Sequence, residues 1–155
     1  MGENSIYATA KQKLSHYCSY QERNIAEVQK KLQAYEGLNT AEANQIIQEL
    51  IQERFLDEKR YTTAFVRGKF FIKKWGKAKI EQALRNKMID VHLIQEALEH
   101  ISDEEYAQTL QDLMLKKKAT LGKLDKAIAQ KKLINYLLQK GYEFEVIRDN
   151  LQKIL

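Results

Sequence analysis

The 155-residue chain contains no proline, only six glycines and a single cysteine. Folds that contain β-sheets need frequent turn residues, so the scarcity of proline and glycine favours an all-α fold. The lone Cys18 excludes an internal disulfide, suits a reducing cytoplasm and is expected to be a small buried residue. No run approaches the roughly 18 apolar residues of a membrane helix, and the N-terminus lacks an export signal, so we predict a cytoplasmic protein without a membrane segment.

The chain also lacks the residue patterns that catalysis or metal binding requires. Three glycines precede a lysine, but none has the upstream glycine and the following serine or threonine of a phosphate-binding loop. The three histidines do not have the spacing of zinc ligands, and the acidic residues cluster at expected helix starts, where they favour the helix dipole. We therefore predict a protein that is not an enzyme, with no catalytic residues, no cofactor and no metal site.

What the chain does contain is a hydrophobic pattern written three times. The helical spacing of apolar residues that follows Leu38 returns after Ile89 and again after Tyr142, with Asn150 interrupting the third copy. A period near 50 residues is typical of stacked helical repeats, which bury a core between neighbours and present long surfaces to partners. The pattern therefore favours binding over catalysis.

Each copy of the pattern ends a unit that reads as three helices. The expected units are module 1 (residues 1–53), module 2 (residues 54–101) and module 3 (residues 102–155). No low-complexity linker separates them, so we expect three tandem three-helix repeats stacked into an elongated, curved body.

Capping residues mark several of the expected helix boundaries. Asn24 followed by Glu27 has the spacing of a capping box, Asp57 and Asp90 suit helix starts, and Gly141 suits a left-handed helix end. The second helices are predicted to bury the equivalent pairs Val28–Leu32, Ile80–Leu84 and Ile134–Leu138. The first helix of module 2 is predicted to bury a stripe of four residues, Tyr61, Ala64, Phe65 and Phe71.

The net charge of +5 is unevenly distributed along the chain. Residues 1–52 carry five basic and six acidic residues, residues 53–101 carry eleven and seven, and residues 102–155 carry ten and eight. The positive charge therefore lies in the middle and final thirds. This asymmetry indicates a polyanion or an acidic surface as the partner.

The most basic stretch, residues 65–87, interleaves lysine and arginine with aromatic residues. It contains one acid, Glu81, four aromatic residues and eight basic residues, Arg67, Lys69, Lys73, Lys74, Lys77, Lys79, Arg85 and Lys87. Lysine and arginine neutralise phosphates, and aromatic rings stack on the bases of single strands. The same composition also fits a solvated helix face with core aromatics, or a surface that docks on an acidic protein groove.

Several short motifs in this stretch and beside it resemble one family. The runs Phe55–Tyr61, Ala64–Arg67 and Gly76–Ile80, followed by Leu84, are similar to the central repeat of the RecX family of bacterial recombination regulators. The flanking modules agree with the family's first and last repeats at Glu27-Val28, Lys31-Leu32, Lys132-Leu133, Tyr136-Leu137-Leu138, Lys140-Gly141-Tyr142 and Ile147. The resemblance covers about residues 8–155.

The resemblance implies a function as well as a fold. RecX-like proteins are all-α, have no catalytic site, and bind the RecA recombinase filament on single-stranded DNA, where they suppress its ATPase and strand-exchange activity and so modulate recombination and DNA repair. We expect a monomer that contacts the filament or its DNA through seven residues, Arg67, Lys69, Lys73, Lys74, Lys77, Lys79 and Lys87.

Two positions depart from the family pattern. Lys77 replaces a common proline, and Met88 replaces a glycine, so the second helix of module 2 is expected to end differently, because a left-handed cap is costly for methionine.

Two other functions remain open from the residues. Three-helix units resemble helix-turn-helix proteins, and glutamines on the expected third helices could read DNA bases. A helical scaffold that binds another protein is the third possibility.

Overall fold

The computed structural model describes the backbone of residues 2–154 and the side chains of residues 6–154. Within this range the chain forms nine α-helices, no strand and one π-helical turn, which confirms the predicted all-α fold. The elements are α1 (Gly2–Tyr20), α2 (Ile25–Leu32), α3 (Thr40–Gln52), α4 (Glu58–Arg67), the π turn (Gly68–Ile72), α5 (Lys77–Asn86), α6 (Val91–Glu99), α7 (Asp103–Thr120), α8 (Lys126–Lys140) and α9 (Phe144–Ile154). The predicted outer ends of modules 1 and 3, Met1 and Leu155, lie outside the described residues.

Consecutive helices pack in groups of three, so the architecture is a tandem array of three-helix units. Helix α1 packs on α2 and α3, α6 packs on α4 and α5, and α7 packs on α8 and α9. None of the helices from Gly2 to Ile154 combines the length and hydrophobicity of a bilayer span.

Local capping chemistry determines where these helices begin. Asn24 accepts a hydrogen bond from the Glu27 amide at 2.8 Å, and its own amide donates to the Glu27 carboxylate at 3.0 Å, which confirms the predicted capping box. Asn39 and Glu42 form a second such box at the start of α3. Asp57 accepts from the Arg60 amide at 3.0 Å, as predicted for the start of α4.

The hydrophobic core is divided unequally between the modules. Module 1 has its own core, to which module 2 contributes the buried Leu56 and the half-buried Phe55. Cys18 lies in this core as predicted, and burial raises the pKa of its thiol. Modules 2 and 3 instead share one continuous core, in which the ring of Phe70 stacks on Tyr106 with centroids 5.9 Å apart.

The predicted core stripe of α4 is wrong in part. Tyr61 is buried, but Ala64 is exposed and Phe65 only half-buried, whereas the stripe Thr62, Val66 and Phe70 faces the core. Thr62 tolerates burial because its hydroxyl donates to the Glu58 carbonyl at 2.6 Å. Phe70 continues this stripe four residues after Val66 and is fully buried, whereas Phe71 is 42% exposed.

The predicted pair Ile134–Leu138 is displaced by one residue. Helix α8 buries Leu133 and Leu137, while Leu138 is 43% exposed. Both pairs have the same spacing, so periodicity alone does not distinguish them. The end of the helix distinguishes the two pairs, because the Leu137 carbonyl accepts a hydrogen bond from the Tyr142 amide at 3.1 Å across left-handed Gly141.

Helix α5 ends in the same way, which corrects the expectation for Met88. The Leu84 carbonyl accepts from the Ile89 amide at 3.1 Å, and Met88 between them adopts a left-handed conformation with φ of 64°. Met88 is 80% exposed, so no side-chain packing offsets the steric cost of this conformation.

Modules 2 and 3 meet through a backbone-to-backbone approach that requires glycine on both sides. The Gly76 amide donates to the Lys140 carbonyl at 2.8 Å, and the Ala78 amide donates to the Gly141 carbonyl at 3.0 Å. A Cβ on Gly76 would overlap the carbonyl group of Gly141, and a Cβ on Gly141 would overlap the Cβ of Lys79. We call this contact the second junction.

The first junction, between modules 1 and 2, is polar. The Ile25 amide at the start of α2 donates to the Glu58 carboxylate at 2.8 Å. Arg60 of module 2 forms an ion pair with Glu22 of module 1. The two junctions thus differ in chemistry: the first combines one ion pair and one hydrogen bond to a carboxylate with the packing of Leu56, and the second has glycine contacts above a shared core.

Candidate functional site

The π turn and the loop after it determine which basic side chains come together. The Lys73 amide bonds to the Gly68 carbonyl at 3.2 Å, five residues back, and Lys74 then adopts a left-handed conformation. The chain reverses there, and the Trp75 amide donates to the Lys69 carbonyl at 2.9 Å. This hydrogen bond places Trp75 next to Lys69, which lies six positions earlier in the sequence.

Two half-buried aromatic rings and three lysines form one cluster beside this turn. The Nζ atoms of Lys69 and Lys79 lie 4.7 Å and 4.4 Å from the Trp75 ring, and those of Lys69 and Lys87 lie 5.4 Å and 5.8 Å from the Phe65 ring. We call these five residues the central patch. Cation–π contacts keep the lysines beside the rings while their ammonium groups remain charged.

A lysine from module 3 extends the central patch. Lys140, the last residue of α8, donates from Nζ to the Lys73 carbonyl at 3.0 Å. Burial lowers the pKa of Lys140, and the neighbouring charges of Lys79 and Lys73 lower it further. Lys140 was not among the predicted site residues, because 67 residues separate it from Lys73. The motif Lys140-Gly141-Tyr142 was the only sequence signal that included it.

The remaining predicted residues lie apart from the central patch. Arg67 packs its guanidinium 5.8 Å from the Phe71 ring. It lies two positions after Phe65 on α4, which turns it by roughly 200° about the helix axis. Lys74 lines a shallow groove beside α7 with Asp112. Lys77 lies with its Nζ 4.8 Å from the Tyr106 ring.

The positive charge of the predicted residues is not neutralised by ion pairing. Among the side chains of residues 6–154, the ion pairs of module 2 are made by Lys59, Arg60 and Arg85, and none of the seven predicted residues takes part. Arg85, the one basic residue of the stretch left out of the predicted set, pairs with Glu81 at 3.1 Å. The central patch therefore presents uncompensated cations that attract a polyanion.

The second junction holds the patch in place through two buried tyrosines. Tyr106 accepts a hydrogen bond from the Lys77 amide at 2.9 Å and donates to the Glu143 carboxylate at 2.8 Å. Tyr142 donates to the Lys74 carbonyl at 3.0 Å. Burial raises the pKa of both phenols, so they remain neutral hydrogen-bond donors at physiological pH.

Comparison with known proteins identifies two of the modules. The model of the RecX second three-helix domain matches residues 57–98, and the model of the RecX third three-helix domain matches residues 103–151. A regulatory protein RecX of Clostridium acetobutylicum is 30% identical over 156 residues, which cover 98% of this chain and 72% of that protein.

Other relatives are longer than this chain. A regulatory protein RecX of Lactococcus lactis subsp. lactis is 30% identical over 142 residues, which cover 90% of this chain and 53% of that protein. The chain thus spans about half the length of this relative, and a similar share of one from Lactobacillus delbrueckii subsp. bulgaricus, at 49%.

Solved structures share the fold. The crystal structure of RecX from Lactobacillus salivarius superposes with a TM-score of 0.89 over 97% of both chains, at 24% sequence identity. A second crystal structure, of a regulatory protein RecX, superposes with a TM-score of 0.82 at 26% identity and covers 93% of this chain and 72% of that one.

Proposed function

Because this chain belongs to the RecX family of regulatory proteins, we propose that it binds the RecA recombinase filament on single-stranded DNA and lowers the filament's ATPase and strand-exchange activity. The observation that supports this most strongly is the central patch, where Lys69, Lys79 and Lys87 surround two aromatic rings without ion-pair partners among residues 6–154. Such a protein modulates recombination and DNA repair as a monomer that acts by occupancy rather than by catalysis.

The chemistry of the central patch suits a single strand. Each cation–π contact on the solvent-accessible face of a ring contributes about 0.5–1 kcal/mol, whereas a base stacked on an aromatic side chain contributes about 1–3 kcal/mol. A base can therefore displace Lys69 or Lys79 from the face of Trp75. The freed ammonium group then pairs with an adjacent phosphate, so stacking and charge neutralisation act together.

The tandem array provides the reach that a filament partner requires. Stacked helical units present an extended surface, and a polymer of protein and nucleic acid offers a repeating target along that surface. The proposed inhibition follows from occupancy: the bound protein blocks filament growth or the change between filament states.

A sequence-reading helix-turn-helix protein is the weaker candidate. In that class the third helix enters the major groove. Here the uncompensated charge lies on α4, the π turn and α5, and Gln95 of the third helix α6 donates to Glu81 at 3.1 Å. The other glutamines of interest, Gln45, Gln48 and Gln52, are exposed on α3 of module 1.

An ATPase assay of the cognate recombinase on single-stranded DNA tests the proposal. The parent protein should inhibit the ATPase, and the triple variant Lys69→Glu, Lys79→Glu, Lys87→Glu should need at least about tenfold more protein, which corresponds to about 1.4 kcal/mol. The matched control reverses three exposed lysines of module 3, Lys116, Lys123 and Lys131. Equal inhibition by parent and patch variant, with helicity retained, contradicts the role of the patch. No inhibition by the parent supports a scaffold for another protein.

A further inference from the structure

Three lysines from two modules converge where the second junction meets the central patch. The Nζ atom of Lys140 lies 3.0 Å from the Lys73 carbonyl, and the Cβ of Lys79 lies beside Gly141, the next residue after Lys140. Burial lowers the pKa of Lys140, and the charges of Lys79 and Lys73 lower it further. Like charges repel, so this arrangement is unfavourable unless an anion lies between them.

The position of these lysines is imposed by the backbone. The contact between Gly76 and Gly141 brings the Cβ of Lys79 against the Gly141 backbone, and Lys140 is the residue immediately before it. The Tyr142 hydroxyl donates to the Lys74 carbonyl at 3.0 Å and fixes the end of the π turn next to Lys73. The three side chains therefore start from a rigid frame rather than from mobile loops.

Nearby carboxylates do not neutralise this group. Within residues 6–154, the ion pairs formed by lysine involve only Lys11 and Lys59, both distant in sequence from the junction. Glu143, two residues after Gly141, receives the hydroxyl of Tyr106 instead.

We propose that Lys73, Lys79 and Lys140 form a phosphate-binding site across the second junction, and that it takes one phosphate of a single-stranded nucleic acid. The identity of that ligand rests on the proposed function; the site's preference for phosphate does not. Lys79 belongs to both this site and the central patch, since its Nζ lies 4.4 Å from the Trp75 ring. A strand that places a phosphate at the site thus has a base within reach of Trp75.

The site has a consequence for stability because it needs both modules. A ligand that binds only the docked arrangement stabilises it by mass action. Bound phosphate should therefore raise the temperature at which modules 2 and 3 unfold. Removing one of the three charges should raise or preserve the stability of the free protein, because repulsion is relieved.

The test is thermal unfolding with inorganic phosphate and with a short oligothymidylate, each against chloride at equal ionic strength. The parent should show a rise in melting temperature with both ligands. Lys140→Gln keeps a hydrogen-bond donor near the Lys73 carbonyl but removes the charge, and should lose at least half of that rise. Lys140→Arg should keep the rise, and so should Lys131→Gln, which changes an exposed residue of the same helix roughly 180° away about its axis.

An equal rise in the parent and in Lys140→Gln overturns the site. If Lys140→Gln fails to fold, the comparison uses Lys73→Gln against Lys131→Gln, with the same expected loss. The ATPase assay separates the two proposals: a parent that does not inhibit the recombinase, yet responds to phosphate through Lys140, contradicts the proposed function and supports the site. A parent that inhibits but shows no phosphate response overturns the site alone.

Discussion

Modules 1 and 2 place a cation and an aromatic ring at equivalent positions, but with opposite consequences. Their buried residues correspond at a constant offset, so that Tyr17 of module 1 is equivalent to Lys69 of module 2 and Arg23 is equivalent to Trp75. The correspondence follows from four buried pairs, Leu14 with Val66, Cys18 with Phe70, Val28 with Ile80, and Leu32 with Leu84. Both modules therefore have a cation–π contact at the end of the first helix. The ring comes first in the sequence of module 1 (Tyr17 before Arg23), and the cation comes first in module 2 (Lys69 before Trp75).

The two contacts differ in what remains available to a partner. In module 1 the guanidinium of Arg23 lies 3.6 Å from the Tyr17 ring, its Nε donates to the Tyr17 carbonyl at 3.1 Å, and it lies 3.9 Å from the Glu27 carboxylate. Its side chain is only 12% exposed. In module 2, Lys69 and Lys79 flank Trp75 without an ion-pair partner among residues 6–154. Arg23 is thus paired within module 1, although Lys31 also lies 5.3 Å from the Tyr17 ring, whereas both cations at Trp75 remain unpaired among residues 6–154.

The largest expected effect concerns the glycine contact that holds module 2 to module 3. Gly76→Ala places a Cβ against the Gly141 carbonyl, and both backbones must move. We expect a loss of about 3 kcal/mol in the free energy of unfolding, at the upper end for overpacking. Gly68→Ala is the control, because its Cβ meets no atom within 4 Å and its φ is −64°. Urea unfolding measures both, and equal stability of the two variants would contradict the backbone contact.

The rings of Trp75 and Tyr17 should contribute differently to the binding of single-stranded DNA. Trp75→Ala should weaken binding of a labelled oligothymidylate by about 1–3 kcal/mol, the contribution of one stacked base. Trp75→Phe should retain most of the affinity. Tyr17→Ala should leave affinity unchanged, since Arg23 already covers that ring. Fluorescence anisotropy gives the affinities, and a greater loss from Tyr17→Ala than from Trp75→Ala would reverse the comparison.

Arg23 and Lys69 should contribute to different properties, Arg23 to stability and Lys69 to binding. Arg23→Gln should cost about 1–2 kcal/mol of stability, because it removes a charged hydrogen bond at a mostly buried site, and should leave affinity for oligothymidylate unchanged. Lys69→Gln should change stability by less than about 0.5 kcal/mol and should lower affinity. Denaturant titration and anisotropy on the same preparations distinguish these outcomes. A greater loss of stability from Lys69→Gln than from Arg23→Gln would contradict this division.

The smallest effect is expected at the cap of α5, where Met88 adopts a left-handed conformation like that of Gly141 at the end of α8. Met88→Gly should stabilise the protein by about 1 kcal/mol, because glycine adopts a left-handed conformation without steric cost. Gly141→Ala, at φ of 101° and in contact with Lys79, should instead destabilise it. Melting temperatures compare them, and a neutral Met88→Gly would mean that the left-handed cap is unstrained.

The sequence predicts best what depends on neighbouring residues. The capping box of Asn24 and Glu27 and the buried faces of the third helices arise within one or two helical turns, so their spacing is sufficient. The π turn was not predicted, because Gly68–Ile72 has no distinguishing composition. The burial of Phe70 rather than Phe71 was missed because the predicted stripe began at Tyr61, whereas the observed stripe runs through Thr62 and Val66. Lys140 joined the site only through the second junction, which no local pattern encodes.

The most direct measurement of the central claim is the salt dependence of binding to the recombinase filament on single-stranded DNA. Each phosphate contact on a single strand contributes about −0.7 to the slope of log affinity against log salt concentration. Replacing Lys69, Lys79 and Lys87 by glutamine should therefore make the slope shallower by about 2, while the same change at Lys116, Lys123 and Lys131 leaves it unaltered. Equal slopes for the two variants would contradict a phosphate-contacting role for the central patch.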